Sequence, residues 1–483
     1  MRPLPQKKGS EPFSPKKGSE PVLIQSEEAP RSAGGIGRLA RRVTRSLAAP
    51  RQLGNGLPWA ALGRQVARRL HAPFLVWRAA KRALTPFLIA AVYAAGTAGA
   101  QAPIKVGLIV PLSGPWARQG QVMRIGAEMA VEHINAQGGI DALGGAQLEL
   151  VVVDAGDSVE RAKNAAQRMV ADHPDMIGAT GSYLSSFTLA VSEVTERAGL
   201  PLITLSYSDL ITSRGFRYIF QTSPTGVKQA EDALPVLMEL AEAAGAERPE
   251  RIGIVMDSTA ASVAFVKPMK EGGVLDQLGL ELVVDETFTP PLANATPLIQ
   301  RVRARQPDLF LLLPTVIADA KLLLEKMNEF GLGRGLLPTV SNGSAMGDPD
   351  LAANMPAALL EGVMSTVGNW HVKGLDDLSA EYIERSGEPW LTQNPLCAYA
   401  HTWLLKEALE IAGTADRGAV ADALHTMDLT DGPARFFPGN RVRFDEQGRR
   451  MDAELLVIQW QQGMPVTVYP ADAAVAAPIW PTR

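Results

Sequence analysis

The chain has 483 residues, of which 46% are hydrophobic and 20% are charged, and its formal net charge is −4. A chain of this length can bury a large core without disulfides. The single cysteine, Cys397, excludes an intrachain disulfide and lies in an apolar helical pattern, which predicts a buried small hydrophobe.

The overall charge hides two unlike segments. Residues 1–100 hold 17 lysines and arginines against 4 acidic residues, whereas the rest holds 30 against 47. Residues 1–75 are basic and rich in Pro, Gly and Ser, and they repeat "KKGSEP". This composition predicts either a disordered basic arm or a leader that is never translated because the true start lies downstream. A precursor whose terminal sequence begins at Met1 would contradict the second interpretation.

Residues 76–100 have the features of a secretory signal. Arg78 and two further basic residues precede an apolar run from Leu84 to Ala95, and the small residues Ala98 and Ala100 follow at signal-peptidase spacing. The run is too short to cross about 30 Å of hydrocarbon as a stable helix. We therefore expect export to the periplasm and a mature protein that begins at residue 101.

From Ile104 onward, short apolar runs alternate with amphipathic stretches. The first part predicts strands at 104–112, 146–154, 175–181 and 200–206, with helices at 121–139, 159–172 and 189–199. This βαβαβαβ order is typical of a doubly wound parallel sheet.

The same pattern restarts after Pro224. It predicts strands at 251–257, 280–288, 307–315 and 336–343, with helices at 261–279, 295–306 and 318–331. Later segments predict helices at 375–387, 397–413 and 417–427, strands at 440–446 and 454–463, and a loose tail at 471–483. Two α/β units of this size predict two lobes.

Ligands of doubly wound sheets bind outside the carboxyl ends of the strands, so residues that follow strands are the candidates. Trp116 could form an apolar wall, or it could belong to a plain surface turn. Ser185 and Ser186 open a predicted helix, where their hydroxyls could cap the helix or share its N–H groups with an anion. Ser206 and Tyr207 add hydroxyls after the fourth strand, which suits a small polar ligand such as a carboxylate or amide.

The second unit offers three further candidates after its strands. Asp257 could bind a ligand or simply cap its helix, Thr315 follows the third strand, and Asn342 is the better candidate for ligand contact. No G-x-S-x-G, Walker A, H-E-x-x-H or C-x-x-C motif is present, and the six histidines have no metal-ligand spacing. We therefore expect no catalysis, no metal and no cofactor.

Several stretches resemble the type I periplasmic binding proteins of the Leu/Ile/Val-binding family. They include "IKVGLIVPLSGPWARQGQ", "GAEMAVEHINAQGGI", "LAVSEVTERAGLPLITLS" and "LLLEKMNEFGL". The resemblance runs from about Ile104 to Tyr469. It implies an α/β fold of two Rossmann-like lobes joined by three crossovers, with lobe 1 at 103–222 and 368–450 and lobe 2 at 223–367 and 451–470.

The resemblance also implies a function. Such proteins close on a solute and deliver it to the membrane permease of an ABC importer, so we expect a periplasmic monomer with a small-molecule ligand and no nucleic-acid partner. It implies that Ser185, Ser186, Ser206 and Tyr207 hold a carboxylate, and that the loop from Trp116 to Gln119 covers the ligand's side chain.

Two positions depart from the family pattern. Binders of this family often carry an aromatic residue after the strand predicted at 251–257, where this chain has the sequence STAAS. Amino-acid binders of this family place an acidic residue where this chain has Asn342, and that residue balances the ligand's ammonium group. Asp257 or Asp319 could supply the missing charge, but otherwise the ligand need not be an α-amino acid. Small carboxylates, aromatic acids, amides and urea-like compounds all remain open.

Two other classes of function fit the sequence less well. Related lobes serve as ligand-sensing domains of regulators and receptors, but a cytoplasmic sensor would lack the signal at 76–100 and a receptor would need a membrane helix after the lobes. An enzyme on a doubly wound fold is disfavoured by the missing motifs.

Overall fold

A computed structural model describes residues 102–480 of the chain. The basic leader predicted at 1–75 and the signal predicted at 76–100 lie outside the described residues.

Fourteen strands are present in the described part of the chain. They are β1 (Ile104–Val110), β2 (Leu148–Asp154), β3 (Gly178–Gly181), β4 (Leu202–Thr204), β5 (Ile219–Gln221), β6 (Arg251–Asp257), β7 (Glu281–Phe288), β8 (Leu309–Leu313), β9 (Thr339–Asn342), β10 (Met364–Val367), β11 (Asp428–Leu429), β12 (Val442–Arg443), β13 (Leu456–Gln461) and β14 (Met464–Tyr469).

Twelve α-helices accompany them within residues 102–480. They are α1 (Ala117–Ala136), α2 (Val159–Asp172), α3 (Ser185–Arg197), α4 (Gly226–Ala243), α5 (Ala260–Glu271), α6 (Val274–Leu278), α7 (Thr296–Arg305), α8 (Ile317–Glu329), α9 (Pro349–Asn354), α10 (Asp376–Ser386), α11 (Gln393–Ala412) and α12 (Arg417–Thr426).

The strands form two main sheets. The first has the order β2-β1-β3-β4-β5, and all its pairs are parallel. Leu108 in β1 pairs with Val152 on one side and Thr180 on the other. We call this sheet and the helices packed on it the first lobe. Its strand order reverses between β1 and β3, which places a ligand crevice at their carboxyl ends.

The second sheet has the order β14-β13-β10-β9-β8-β6-β7. Strands β6 to β10 are parallel, whereas β13 and β14 add an antiparallel hairpin at one edge. We call this sheet with its helices the second lobe. Its order reverses between β6 and β8, which gives the second lobe a crevice of its own. The doubly wound α/β fold of two lobes is therefore confirmed.

Three connections join the lobes, after β5, after β10 and before β13. Helices α10 to α12 follow the second connection and return to the first lobe, where Tyr382, Leu404 and Leu424 share a buried core with Val106 of β1. Helix α11 lies closely against α1. A Cβ atom on Gly126 of α1 would lie only 2.2 Å from the carbonyl oxygen of Pro395 in α11, so the absence of a side chain at Gly126 allows this approach. The exact residues at which one lobe ends and the other begins stay a prediction.

The elements differ from the sequence prediction in several places. Strands β5, β10 and β14 and helix α4 were not predicted, and the strand predicted at 440–446 shrinks to Val442–Arg443. The single helix predicted at 261–279 is two helices. The break falls at Gly273, whose φ of 76° is easy for glycine, and not at Pro268 inside α5.

The expectation of a loose tail is wrong for residues 471–480. Trp480 is only 7% exposed and belongs to the core of the second lobe. The backbone of Ile479 makes two hydrogen bonds with the side chain of Gln459, which is a buried residue of β13. Apolar burial and paired backbone groups therefore hold this segment in place.

Cys397 is buried, as its apolar context predicted. Among the described residues, no helix has the length and hydropathy needed to cross a membrane. In the same part of the chain, no cluster of three or more His, Cys, Asp or Glu side chains could hold a metal ion.

Candidate functional site

A cavity lies between the two lobes, at the carboxyl ends of strands from both sheets. It measures about 580 Å³, including the space open to solvent. The first lobe contributes the side chains of Gln119, Tyr183, Ser185, Tyr207, Gln393 and Asn394. The second lobe contributes Ser262, Thr315, Asn342 and Ser344, with Pro314 and Ala345 as apolar surface. No charged side chain lines the cavity among the residues that the structure describes.

Five of the nine predicted site residues line this cavity. They are Gln119, Ser185, Tyr207, Thr315 and Asn342. The other four, Trp116, Ser186, Ser206 and Asp257, are not among the lining residues. Their contacts show what each of them does instead.

Trp116 packs into the first lobe. Its ring meets the Phe187 ring edge to face, with 5.6 Å between centroids, and its backbone carbonyl accepts a hydrogen bond of 3.3 Å from the Tyr183 hydroxyl. Trp116 therefore supports Tyr183, which lines the cavity, and is not itself among the lining residues.

Ser206 is buried and its hydroxyl is already satisfied. It lies 3.0 Å from the Ser182 carbonyl oxygen, 2.9 Å from the Tyr183 carbonyl oxygen and 2.7 Å from the Thr188 hydroxyl. This hydroxyl fixes the loop after β3 beneath the cavity.

Ser186 joins the two lobes. Its hydroxyl oxygen accepts a hydrogen bond of 3.3 Å from the backbone N–H of Ala260, the first residue of α5. The N-terminal ends of α3 and α5, one from each lobe, therefore meet beside the cavity. Both helix ends favour negative charge through their dipoles and free N–H groups.

Ser185 does not cap α3, since the helix has no side-chain cap. Its hydroxyl oxygen accepts hydrogen bonds of 3.2 Å from the backbone N–H groups of Tyr207 and Ser208. A hydroxyl oxygen has two lone pairs, so both are used and only its proton remains for a ligand.

Asp257 lies behind the wall that the second lobe contributes. It is fully buried, and its carboxylate accepts five hydrogen bonds from Thr259, Ser262 and Thr315. The two from Thr315 measure 2.7 Å from the backbone N–H and 2.6 Å from the hydroxyl. Asp257 thus ties the ends of β6 and β8 together, at the point where the order of the second sheet reverses.

Asp319, the other acidic candidate, does not line the cavity either. It is buried, one carboxylate oxygen accepts the Leu292 N–H at 2.8 Å, and burial raises the pKa of its carboxyl group.

Asn342 is held by two acceptors in its own lobe. Its amide nitrogen donates to Gln229 Oε1 at 2.6 Å and to Thr366 Oγ1 at 2.9 Å. Gln229 in turn donates to the Pro224 carbonyl oxygen at 2.7 Å, which fixes the orientation of both amides.

Tyr207 and Gln393 form a pair beside the second connection between the lobes. The Tyr207 hydroxyl donates to Gln393 Oε1 at 2.8 Å, and burial raises the pKa of Tyr207, so this proton is retained. The backbone N–H groups of Gly368 and Asn369 donate to the same Gln393 oxygen, at 2.8 and 3.2 Å. The Gln393 amide nitrogen has no protein partner among the described residues.

Polar contacts also cross the cleft at the other end of the cavity. Gln119 of the first lobe donates to Asp348 of the second lobe and accepts a hydrogen bond of 2.7 Å from Asn394. Arg118 Nε lies 3.2 Å from Asp348, and Arg118 Nη2 lies 2.7 Å from Glu388. We call Arg118, Gln119, Asp348 and Glu388 the latch. The contacts of Arg118 and Gln119 with Asp348 join the two lobes, whereas Glu388 and Asn394 belong to the first lobe and position the Arg118 and Gln119 side chains.

The sequence reasoning missed several lining residues. Tyr183 and Ser344 lie inside loops that follow predicted strands, so the same rule could have found them. Gln393 and Asn394 begin a helix that no strand directly precedes, and only the return of α11 to the first lobe brings them to the cavity.

The chain is similar in sequence to known proteins. A family model described as "Periplasmic binding protein" matches residues 103–464. The "Leu/Ile/Val-binding protein homolog 7" of Brucella melitensis is 28% identical over 397 residues, which cover 79% of this chain and 95% of that protein.

Solved structures share the fold. The branched-chain amino acid transporter substrate-binding protein of Streptococcus pneumoniae, in complex with isoleucine, has a TM-score of 0.64 at 20% identity, covering 76% of this chain and 99% of its own. A solute-binding protein of R. palustris, in complex with 4-hydroxybenzoate, has a TM-score of 0.61 at 21% identity, covering 76% of this chain and 95% of its own.

Proposed function

Because the chain belongs to the periplasmic binding protein family, with relatives among the Leu/Ile/Val-binding homologues, we propose that it is the solute-binding component of an ABC importer. In this proposal the protein is a periplasmic monomer that captures a small carboxylate- or amide-bearing solute between its lobes. It then presents the closed complex to a membrane permease. The family implies the periplasmic location, and the similarity to a transporter protein supports the role in import.

The observation that carries the proposal is the cavity between the lobes. Side chains from both lobes line it, so a ligand in it contacts both and favours the closed arrangement. A buried, mostly preformed pocket with a few fixed polar groups is typical of small-molecule sites. The latch and the contact between Ser186 and Ala260 show that the lobes meet directly around it.

The first lobe would receive the ligand's carboxylate or carbonyl oxygen. Ser185 offers a hydroxyl proton, Gln393 offers an amide nitrogen, and the N-terminal end of α3 favours negative charge. Tyr207 would position Gln393 for this contact. Neutral donors of this kind bind a carboxylate without an ion pair.

The second lobe contributes Asn342, at a position where the resemblance to the Leu/Ile/Val-binding family implies an acidic residue. Since no side chain that lines the cavity is charged in the described part of the chain, an ammonium group there would lack a direct ion pair, which is worth more in a closed site than in water. We therefore propose that the ligand need not be an α-amino acid. The similar structures with isoleucine and with 4-hydroxybenzoate show that this fold accommodates both kinds of solute.

A ligand screen tests the proposal. The purified protein is heated with amino acids, aromatic acids, aliphatic carboxylates and amides, and the melting temperature is measured. A ligand that binds only the native state raises this temperature as it saturates the site. We expect shifts with acids or amides that lack an ammonium group. Tight and selective leucine binding in calorimetry would contradict the proposed ligand class, and no shift with any solute would contradict the binding function.

A further inference from the structure

On the second-lobe wall of the cavity, the side chains of Ser262, Thr315 and Asn342 have all their hydrogen-bond donors engaged. The Thr315 hydroxyl lies 2.6 Å and the Ser262 hydroxyl 2.8 Å from the Asp257 carboxylate. A carboxylate only accepts, and each hydroxyl has a single proton, so both protons point away from the cavity. What Thr315 and Ser262 offer to a ligand is lone pairs.

Asn342 also has no free amide proton, because both of its amide protons are donated within the second lobe. The Pro224 carbonyl oxygen can only accept, so Gln229 must turn its amide nitrogen toward it and its amide oxygen toward Asn342. Asn342 then donates both amide protons, one to Gln229 and one to Thr366. Only the Asn342 oxygen remains for a ligand.

The first-lobe wall, which includes Ser185 and Gln393, has free hydrogen-bond donors instead. Ser185 has both lone pairs occupied and keeps its proton, and Gln393 has its oxygen occupied and keeps its amide nitrogen. At these positions the first-lobe side chains donate, whereas the second-lobe side chains accept. The Ser344 hydroxyl, also on the second lobe, donates to Asn394 of the first lobe at 3.3 Å. A ligand that spans the cavity must match both sets of side chains, because a buried polar group left without a partner weakens binding.

We infer that the second-lobe wall selects ligands that bring a hydrogen-bond donor, a hydroxyl or N–H group, to Ser262, Thr315 and Asn342. This inference rests on the proposed function and narrows its substrate class to acids or amides with a second, donating group. Asp257 and Gln229 act as positioning residues, since they set the direction of the protons without lining the cavity.

Matched ligands test this selection. The first pair is 4-hydroxybenzoate and 4-methylbenzoate, which are similar in size and differ in the donor. The second pair is 2-hydroxy-4-methylpentanoate and 2,4-dimethylpentanoate, which differ in the same way. Dissociation constants are measured by calorimetry on the purified protein. We expect the hydroxylated member of whichever pair binds to have about tenfold higher affinity than its methyl partner.

Variants at Thr315 distinguish the effect of its hydroxyl group from the effect of its side-chain shape. Thr315→Val keeps the side-chain volume but removes the hydroxyl, so we expect the ratio between the paired affinities to fall from about tenfold toward about twofold. Thr315→Ser keeps the hydroxyl and should keep the ratio. Melting temperatures without ligand show whether each variant is folded, and Ser262→Ala gives an independent measurement if Thr315→Val is not.

The outcomes distinguish the two proposals. Equal affinities within a pair that binds would overturn the donor selection while leaving the binding function intact. A ratio that is unchanged in folded Thr315→Val and Ser262→Ala variants would also overturn it. If no probe binds at all, the small-carboxylate ligand class fails and the donor selection fails with it.

Discussion

At the scale of single residues, burial decides which groups are charged. His401 is fully buried between two threonines, with Nδ1 2.7 Å from Thr180 Oγ1 and Nε2 2.8 Å from Thr222 Oγ1. Burial, and secondly the charge of Arg450, lowers the pKa of His401 to about 3. The folded protein therefore holds this imidazole neutral, and protonation would place a second cation beside a buried guanidinium.

This pKa predicts a pH dependence of stability. Between the ordinary histidine pKa of about 6.5 and the folded value, the unfolded chain binds one proton more than the folded protein, so stability is full above this window and falls as pH decreases. The His401 contribution should be about 1.4 kcal/mol per pH unit from about pH 6 to pH 4. Urea unfolding of the protein and of His401→Gln across this range measures it as a difference in slope.

His173→Gln is the matched control for this measurement, because His173 is only half-buried. Its slope should equal that of the unchanged protein. Equal slopes for His401→Gln and the unchanged protein would show that His401 is not the group responsible.

At the scale of elements, the connections between the lobes are packed against each other. Gly368, which follows β10, approaches the connection after β5 so closely that a Cβ would lie 2.8 Å from Ser223 Oγ and 2.9 Å from Ser223 Cβ. Arg450, before β13, donates from Nε to the Thr222 carbonyl oxygen at 2.8 Å. The three connections between the lobes therefore lie side by side and contact one another.

Gly368→Ala should disturb this packing. We expect a loss of about 1–3 kcal/mol in the free energy of unfolding, because the added methyl group would overlap the Ser223 side chain and press on the Pro224 ring. Urea unfolding measures the loss, and calorimetry measures any accompanying fall in ligand affinity. Gly418→Ala in the first turn of α12 is the control and should leave both values nearly unchanged or raise stability slightly. Unchanged stability in Gly368→Ala would show that the connections can move apart freely.

At the scale of the whole molecule, the latch links the two lobes at one end of the cavity. Arg118 on α1 of the first lobe contacts buried Asp348 of the second, and Gln119 beside it lines the cavity. Burial raises the pKa of Asp348, and the Asp350 backbone N–H and the charge of Arg118 oppose that rise. Opening the lobes would break these contacts, so they stabilise the closed state.

Arg118→Gln should weaken closure. We expect ligand affinity to fall about tenfold, mainly through faster dissociation, because a partner of a part-buried ion pair is lost. Small-angle scattering of the ligand-saturated variant should give a larger radius of gyration than the unchanged protein. Arg124→Gln on the same helix removes only an exposed pair with Glu128 and should behave as the unchanged protein does. Equal affinities in the two variants would contradict a role for the latch.

The sequence by itself determined the fold class, because apolar periodicity and turn residues report each strand and helix locally. The helix Val159–Asp172 and the strand Arg251–Asp257 have the predicted bounds. Short buried strands such as Ile219–Gln221 were not predicted, since three residues are too few to show a periodic pattern of apolar side chains. The rule that ligands bind after strands led to Ser185, Tyr207, Thr315 and Asn342, which do line the cavity.

Only the tertiary structure decided what each polar group offers. Ser206 and Ser185 are both serines near strand ends, yet one is fully bonded beneath the cavity and the other keeps its proton for a ligand. Gln393 lies far along the chain and joins the site because α11 returns to the first lobe. The direction of a proton depends on partners distant in sequence, and no local pattern of residues records them.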